Sequence, residues 1–492
     1  MKSDKGMGSR WPVPALVILH LAIALLLAAR LDIWVDEAYT LDTTGKGLGY
    51  ALHQSLFFEG QPPLYFLLLT LWRTLDGSIF FARLFSVLCG AATLLAVAGL
   101  SRRWFPEAHP GWLTALAGLH PFFFYAALEI RVYALALLLS AVLLLLLHDG
   151  YLAPEPSRAA RWGFGVAAVA ALYTQYYLGF LLVGGAAALM VLRRWRPLRD
   201  YLLAMAGVAL CFAPMLWIVP RQVTSQTAAL ERASVLEGVQ SLAGRVQEYA
   251  WPTPGLPDAW RPGARIGFAL ALVLIVLVHR RRIRGEWAVW TLTATAALLF
   301  LAVRVGVTGP HLMQPRHTAA LFLPALMTVL SVLLLAGRRW LLGVWTGALI
   351  LLTAAAMAQT YGTLAKEGDW ARVGSFLEQN ARLGEPILVL TAEAALPLKH
   401  YYQGALAPLP AAEDFKTYDS RELELRSEEE IDAALGRGEP PAVWVVTHPL
   451  NPGWLGIDFG FDVLERYLAS RYRLDREILF SGTRVRRFTS RP

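Results

Sequence analysis

The chain has 492 residues, 56% of them hydrophobic and only 17% charged, with a formal net charge of +8 and a mean hydropathy of +0.45. A soluble protein carries roughly a quarter of its residues as charge, so the composition excludes a single globular enzyme, a fibrous chain and a disordered one. Residues 362–492 hold 20 acidic and 16 basic side chains, leaving 17 acidic and 29 basic in the first 361; a basic, charge-poor body followed by an acidic tail is the pattern of a membrane body with a soluble end.

A spanning helix needs about 20 mostly apolar residues, because its backbone amides find no water in hydrocarbon. Eleven segments meet that description: 12–31, 79–101, 111–127, 132–148, 163–174, 176–192, 200–219, 264–279, 287–304, 317–336 and 340–360. Residues 163–192 form one apolar run with Tyr173-Thr174-Gln175-Tyr176-Tyr177 at its midpoint, readable as two spans around a tight turn or as one long kinked helix. The only cysteines, Cys89 and Cys211, lie inside apolar runs, so no disulfide framework or thiolate metal site is expected.

Lys and Arg concentrate in short cytoplasmic loops. With the N-terminus cytoplasmic, that side collects Lys2, Lys5, Arg10, Arg102, Arg103, Arg158, Arg161, Arg193, Arg194, Arg196, Arg199, Arg280, Arg281, Arg282, Arg284, Arg338 and Arg339, which are 17 of the body's 29 cations. The positive charge therefore marks a membrane face and implies no nucleic-acid partner. Eleven spans then put the tail outside, with three longer outside connections: 32–78, 220–263 and 305–316. Arg30-Leu31-Asp32-Ile33-Trp34 lacks a small-residue cleavage pattern, so the first segment is expected to remain as a span.

The expected architecture is an α-helical polytopic membrane protein of about 11 transmembrane helices over residues 1–361, with a soluble extracytoplasmic α/β domain over 362–492. In that tail Ile387-Leu388-Val389-Leu390 and Val443-Trp444-Val445-Val446 read as buried strands. Residues 369–382, 427–436 and 461–470 have helical apolar spacing, and 471–489 reads as a hairpin. No Gly-rich phosphate loop or nucleophile elbow appears there, so the tail is expected to be structural or to dock an acceptor.

Directly after the first span comes Ile33-Trp34-Val35-Asp36-Glu37-Ala38-Tyr39-Thr40. Paired acids here could be the solvated start of a loop helix, since acids favour helix N-termini. The functional reading is a carboxylate aimed into a cavity, where partial burial raises its pKa toward the range of a general base. In Phe58-Glu59-Gly60-Gln61-Pro62-Pro63-Leu64-Tyr65-Phe66 two prolines fix a turn and then start an apolar helix, which holds the preceding Glu59 in one place. Acidic points on that one loop could hold a hard divalent cation through oxygen ligands. Further along, Glu129 and Arg131 lie between two spans, where ionisable groups are expensive unless paired or functional. Arg316, in Gln314-Pro315-Arg316-His317, starts the tenth span, and two guanidinium groups facing one cavity would clamp a phosphate. Arg83, four residues into the second span, is a third candidate.

Taken in order, Asp36-Glu37 after the first helix, Pro62-Pro63-Leu64-Tyr65-Phe66, Arg83-Leu84-Phe85-Ser86 and the Glu129, Arg131, Tyr133 spacing resemble the bacterial relatives of the dolichyl-phosphate-mannose protein mannosyltransferases, a superfamily that includes the aminoarabinose transferases of lipid A. The resemblance covers roughly residues 10–360, and weakly Asp369-Trp370. It implies a GT-C-type glycosyltransferase of the bacterial cytoplasmic membrane that moves a sugar from a polyprenyl-phosphate donor to a hydroxyl of a protein, lipid or glycan. By the same resemblance Asp36 is the catalytic carboxylate, with Glu37 beside it, and Glu59 a candidate ligand for a divalent metal ion. Arg131 and Arg316 neutralise the lipid phosphate, and Glu129, Tyr133, His317, Tyr65 and Arg83 line the substrate site. Three positions depart from the pattern: Gln61 where many relatives have His, Gln175 where His often precedes Tyr, and His317 where Tyr commonly follows the Arg.

A lipid-linked glycan polymerase, ligase or flippase would share the helices and outward arginines, but needs no carboxylate pair directly after the first span. A secondary transporter should show internal repeats and charges near the mid-bilayer; here no repeat is found, and the ionisable residues cluster at the outer boundary.

Overall fold

The computed structural model describes residues 13–227, 233–283, 286–306, 314–409, 427–436, 440–448 and 461–491. Lys2, Lys5, Arg10 and Arg284 of the expected cytoplasmic set, and 307–313 of the expected outer connection, lie outside them. The chain divides into two compact units. One comprises Met1–Ala28 and Gly60–Gln359, the other Ala29–Glu59 and Thr360–Pro492. Residues 32–59 of the expected outer connection, with 29–31 of the expected first span, thus cluster with the tail.

The first unit is helical. Among the described residues six helices are long and apolar enough to cross a membrane: Ile79–Trp104, Tyr133–Leu152, Trp195–Trp217, Arg261–Arg282, Trp287–Gly306 and Trp340–Tyr361. The pair Gly111–Gly118 and Pro121–Leu128, expected as one straight span, is bent by 64°. Pro121 has no N–H to continue a helix and forces the preceding residue out of the helical region. His120 is accordingly extended (φ −83°, ψ 135°), and its ring Nδ1 accepts the Phe122 amide as an N-cap. Val13–Ala28, Leu64–Arg73, Tyr176–Val191 and Ala319–Leu335 are shorter apolar helices. The run 163–192 is two helices, because Gln175 is extended and the Thr174 hydroxyl turns back onto the Ala170 carbonyl. The expected outer connection 32–78 holds three helices, Val35–Thr43, Leu48–Phe57 and Leu64–Arg73, the last being the apolar helix expected after Pro62-Pro63.

Helix Ile79–Trp104 packs on Tyr133–Leu147 and on Val13–Ala28, and Gly179–Val191 packs on Trp287–Gly306. Ala319–Leu335 is buried along nearly its whole length, as an evenly apolar helix must be when neighbours surround it. In contrast Trp195–Phe212 and Arg261–His279 turn Leu202, Leu203, Leu210, Ile266, Leu270 and Leu274 outward. At the arginine-rich ends, Arg103 pairs with Asp149 and Arg161 with Asp200, each at 2.7 Å. Those acids are why several of the expected cytoplasmic cations are held in place.

The second unit is built on a five-stranded mixed sheet of β1 (Ile387–Leu390), β2 (Pro408–Leu409), β3 (Ala442–Thr447), β4 (Tyr472–Leu479) and β5 (Arg484–Ser490), in the order β2-β1-β3-β5-β4. β1 runs parallel to β2 and β3, while β5 is antiparallel to β3 and β4. Both faces of β1 and β3 are covered, which is why these strands are continuous apolar runs and not alternating ones. On one face Ile387, Val389, Trp444 and Val446 meet Trp370, Val373, Leu377 and Leu398. On the other, Leu388, Leu390, Val443 and Val445 meet Ile431, Leu464, Tyr467 and Leu468. Gly368 (φ +111°) leads into helix Trp370–Asn380; a Cβ there would meet the Trp370 indole nitrogen at 2.1 Å, so conformation and space both demand glycine.

Segment 29–59 joins this unit through charge. Lys366 Nζ lies 2.8 Å from Glu37 Oε1 with side-chain exposures of 5% and 0%. The Lys366 backbone amide donates to Asp32 Oδ1 at 2.5 Å. Ile33 donates its amide to the Tyr401 hydroxyl at 2.9 Å, and the Tyr39 hydroxyl donates to Glu393 Oε2 at 2.8 Å. Burial pushes the Asp32 carboxyl up to about 6, against the opposing pull of the Lys366 and Trp370 amides.

Two outcomes follow from these groups. Removing one partner of a buried pair leaves an uncompensated charge, so Lys366→Met should lower stability by about 3–5 kcal/mol, whereas Glu37→Leu with Lys366→Met should cost less than the single change; thermal unfolding of the detergent-solubilised chain checks this, and simple additivity of the two losses contradicts it. Because the folded value for Asp32 lies above its ordinary 3.8, the folded chain binds the extra proton between the two values. Its stabilising contribution is full below about 4 and is lost as pH rises through about 6. Asp32→Asn should flatten the stability curve across that window, and an unaltered slope counts against the assignment.

Candidate functional site

The candidate residues fall into two sets, one in each unit. In the second unit, Trp34 is extended and Val35–Thr43 starts immediately after it, with Asp36 and Glu37 in its first turn, where the positive end of the helix favours carboxylates. The two acids are not equivalent. Glu37 is fully buried against Lys366, while Asp36, one residue earlier, is half-buried. Tyr39 follows Asp36 by one turn and reaches Glu393, which stands in the short helix Ala392–Ala394 just after β1. Burial raises the Glu393 carboxyl above the usual range; the Tyr39 hydroxyl pulls it down and the Asp36 charge pushes it further up. Lys366, Glu393 and Tyr401 are the residues that sequence reasoning missed. One signal was available for the first, since Lys366 is among only six lysines in an arginine-rich chain and directly follows the last apolar segment.

Glu59 also belongs to this set. It is buried, accepts from the Thr43 hydroxyl at 3.2 Å, and its amide closes onto the Gln54 carbonyl. Among the described residues no group of three or more His, Cys, Asp or Glu side chains could hold a metal ion. Beside the Glu59 carboxylate stands the Thr43 hydroxyl, and Gln61 follows two residues on in the sequence.

The first unit gathers the remaining candidates at helix ends. Arg83 is fully buried and its Nη1 donates to the Ala28 carbonyl at 3.0 Å, satisfying an acceptor that the end of the first helix leaves without an intrahelical partner. One turn along, Ser86 donates to the Glu129 carbonyl at 2.6 Å. Glu129 is the extended residue that ends Pro121–Leu128, and Glu129 and Arg131 are both buried in the turn before Tyr133–Leu147. Tyr133 stacks on Tyr125 at 5.8 Å, and Tyr65 sets its ring edge against Phe85.

Arg316 is placed by backbone contacts. Gln175 donates its side-chain amide to the Arg316 carbonyl at 3.0 Å, and Tyr249 donates to the Pro315 carbonyl at 2.9 Å. The amide of Leu64 in turn bonds the Tyr173 carbonyl at 2.9 Å. The start of the Leu64 helix, the Tyr173–Gln175 break and the Arg316–Thr318 turn are therefore tied together, and Gln175 is what joins the last two. Arg316 and His317 are half-buried. Two linked groups result: Arg83, Ser86, Glu129 and Tyr65 around the start of Ile79–Trp104, and Leu64, Gln175, Tyr249 and Arg316 around the second break. They meet at Leu64–Tyr65. Arg316 is thus the half-buried guanidinium of the second group, and Asp36 the half-buried carboxylate of the other unit.

No family model matches the chain, and no curated protein does. Among solved structures it is similar to ArnT from Cupriavidus metallidurans in the apo state, with a TM-score of 0.59 at 14% identity over 96% of this chain and 98% of that one. It is also similar to the same protein bound to undecaprenyl phosphate, with a TM-score of 0.56 at 14% identity over 98% of each chain. Over 96% of its length, then, this chain has the fold of ArnT.

Proposed function

We propose that the protein is an inverting glycosyltransferase that moves a sugar from a polyprenyl-phosphate-linked donor to a hydroxyl acceptor at the outer face of the bacterial cytoplasmic membrane. One observation carries this reading: Asp36 is a carboxylate kept half-buried on a helix fixed by a buried ion pair, in a chain whose fold over 96% of its length is that of a transferase. The bound undecaprenyl phosphate of the ArnT complex supports the choice of donor lipid. The outward leucines of Trp195–Phe212 and Arg261–His279 support a bilayer around the first unit, and its Arg-rich loops support a cytoplasmic N-terminus with the tail domain outside.

The acceptor hydroxyl oxygen bonds to the anomeric carbon as the bond from that carbon to the phosphate oxygen breaks. The bonding electrons leave with the polyprenyl phosphate, and the acceptor's proton passes to Asp36. A single displacement inverts the anomeric centre. The transition state is oxocarbenium-like, so charge develops on the leaving phosphate, where preorganised cations act most strongly. Arg131 and Arg316 take that role. Arg83, committed to the end of the first helix, positions this region, and Tyr65, Glu129, Tyr133 and His317 border the donor. Glu37 anchors the Asp36 helix through Lys366.

Asp36→Asn should lower sugar transfer from a radiolabelled lipid-linked donor in proteoliposomes by about 10²–10⁴-fold while leaving insertion and unfolding temperature unchanged; normal transfer in that variant sinks the mechanism. Arg131→Ala should raise the apparent KM for the donor by about 10- to 100-fold with a smaller change in kcat, the loss of one charge-assisted hydrogen bond. A donor KM that stays put speaks against the phosphate role.

A further inference from the structure

We propose that Glu393, carried by the tail domain, is a positioning residue of the transfer reaction: it holds helix Val35–Thr43 through Tyr39, one turn after Asp36, and so fixes where Asp36 stands. The inference rests on Asp36 being the base. Its geometric ground is a pair of hydrogen bonds that bracket Asp36 symmetrically in sequence. Three residues before it, the Ile33 amide donates to the Tyr401 hydroxyl at 2.9 Å; three residues after it, the Tyr39 hydroxyl donates to Glu393 Oε2 at 2.8 Å. Both partners come from the one stretch 393–401, whose helix Ala395–Tyr401 packs directly on Val35–Thr43. Residues three apart on a helix share a face, so Asp36 and Tyr39 lie on the same side, and Glu393 feels the Asp36 charge. The Thr391 hydroxyl at 3.4 Å holds the other oxygen of Glu393, and the Thr391 amide is bonded to the His448 carbonyl at 2.9 Å at the end of β3. The Tyr39 ring is itself wedged edge-on against Phe58 at 5.0 Å.

Each of these contacts has a purpose that the tail alone would not need. Among the described residues, the two apolar clusters on the faces of the sheet are drawn from residues 370–488 and take none from segment 29–59. A carboxylate partly withdrawn from water beside a second carboxylate is an unfavourable arrangement for stability alone, and a glutamine or an apolar residue would fill the same place. What the arrangement supplies is an acceptor for Tyr39 on a rigid strand end. General-base transfer is sensitive to placement, since a displacement of about 1 Å costs about 10²-fold in rate.

The test uses the full-length chain in proteoliposomes with a radiolabelled lipid-linked sugar. Glu393→Leu and Tyr39→Phe, which remove the same hydrogen bond from opposite sides, should each lower kcat by about 10- to 100-fold with the donor KM unchanged. The double change should be no worse than the more severe single one, because both act through one contact. Glu393→Gln, which still accepts from Tyr39, should restore most of kcat. Unfolding temperature, read on every variant, separates loss of fold from loss of position, and Tyr39→Phe retains the ring contact if Glu393→Leu unfolds the tail. The proposal is overturned by normal kcat in Tyr39→Phe, by additive losses in the double variant, or by an acceptor KM that rises while kcat holds, which would make Glu393 a binding residue. Those results leave the Asp36 reading intact as long as Asp36→Asn is inactive; an active Asp36→Asn defeats the underlying reading instead.

Discussion

Taking an ammonium and a carboxylate out of water together is unfavourable unless each becomes the other's partner and neighbouring groups satisfy what is left. Lys366 and Glu37 meet that condition at 2.8 Å, and the same lysine gives its backbone amide to Asp32. Everything assigned to the reaction in the second unit depends on this contact. It ties a segment beginning at residue 29 to one beginning at residue 360, fixes the start of Val35–Thr43, and leaves Asp36 half-buried while Glu37 is fully enclosed. A flexible loop with the same two acids would present them to water alike. The ion pair makes them different: Glu37 is enclosed against Lys366, and Asp36 stays half-buried on the same turn.

The helices were legible because a hydrocarbon environment demands long apolar runs, and those runs are local in sequence. Ile79–Trp104, Tyr133–Leu147 and Trp287–Gly306 lie where the hydropathy put them. The break at His120-Pro121 was missed because hydropathy averages over a proline that backbone geometry does not forgive. Inside 32–78 the apolar helix after Pro62-Pro63 was readable, whereas Leu48–Phe57 was missed because it is too short to register as a span. In the tail, β1 and β3 were readable as apolar runs bounded by turn residues. The two-residue β2 and helix Ala395–Tyr401 are too short to leave a periodic signal.

Of the site, the residue types were legible and the partnerships were not. Asp36, Arg131 and Arg316 stood out as ionisable groups at apolar boundaries. Nothing local could reveal that Glu37 belongs to Lys366 or Tyr39 to Glu393, pairs more than 300 residues apart in the chain. Gln175 shows the same limit from the other side. In the sequence it stands only as a departure from a histidine pattern, yet in the structure its amide holds the Arg316 backbone at 3.0 Å. Net charge was the least informative quantity of all, because the many arginines at the loop ends are paired with Asp149 and Asp200 or turned to the surface, and the few buried ones decide the reading.

The central claim is that Asp36 acts on a sugar carried by a polyprenyl phosphate, and native mass spectrometry of the protein purified from its own membranes tests it most directly. With the base removed, the donor should bind and remain unspent. The Asp36→Asn protein is therefore predicted to retain a polyprenyl phosphate still carrying its sugar, while the unaltered protein retains the same lipid without the sugar. If neither carries a phosphorylated polyprenyl lipid, or both carry the same one, the account is contradicted.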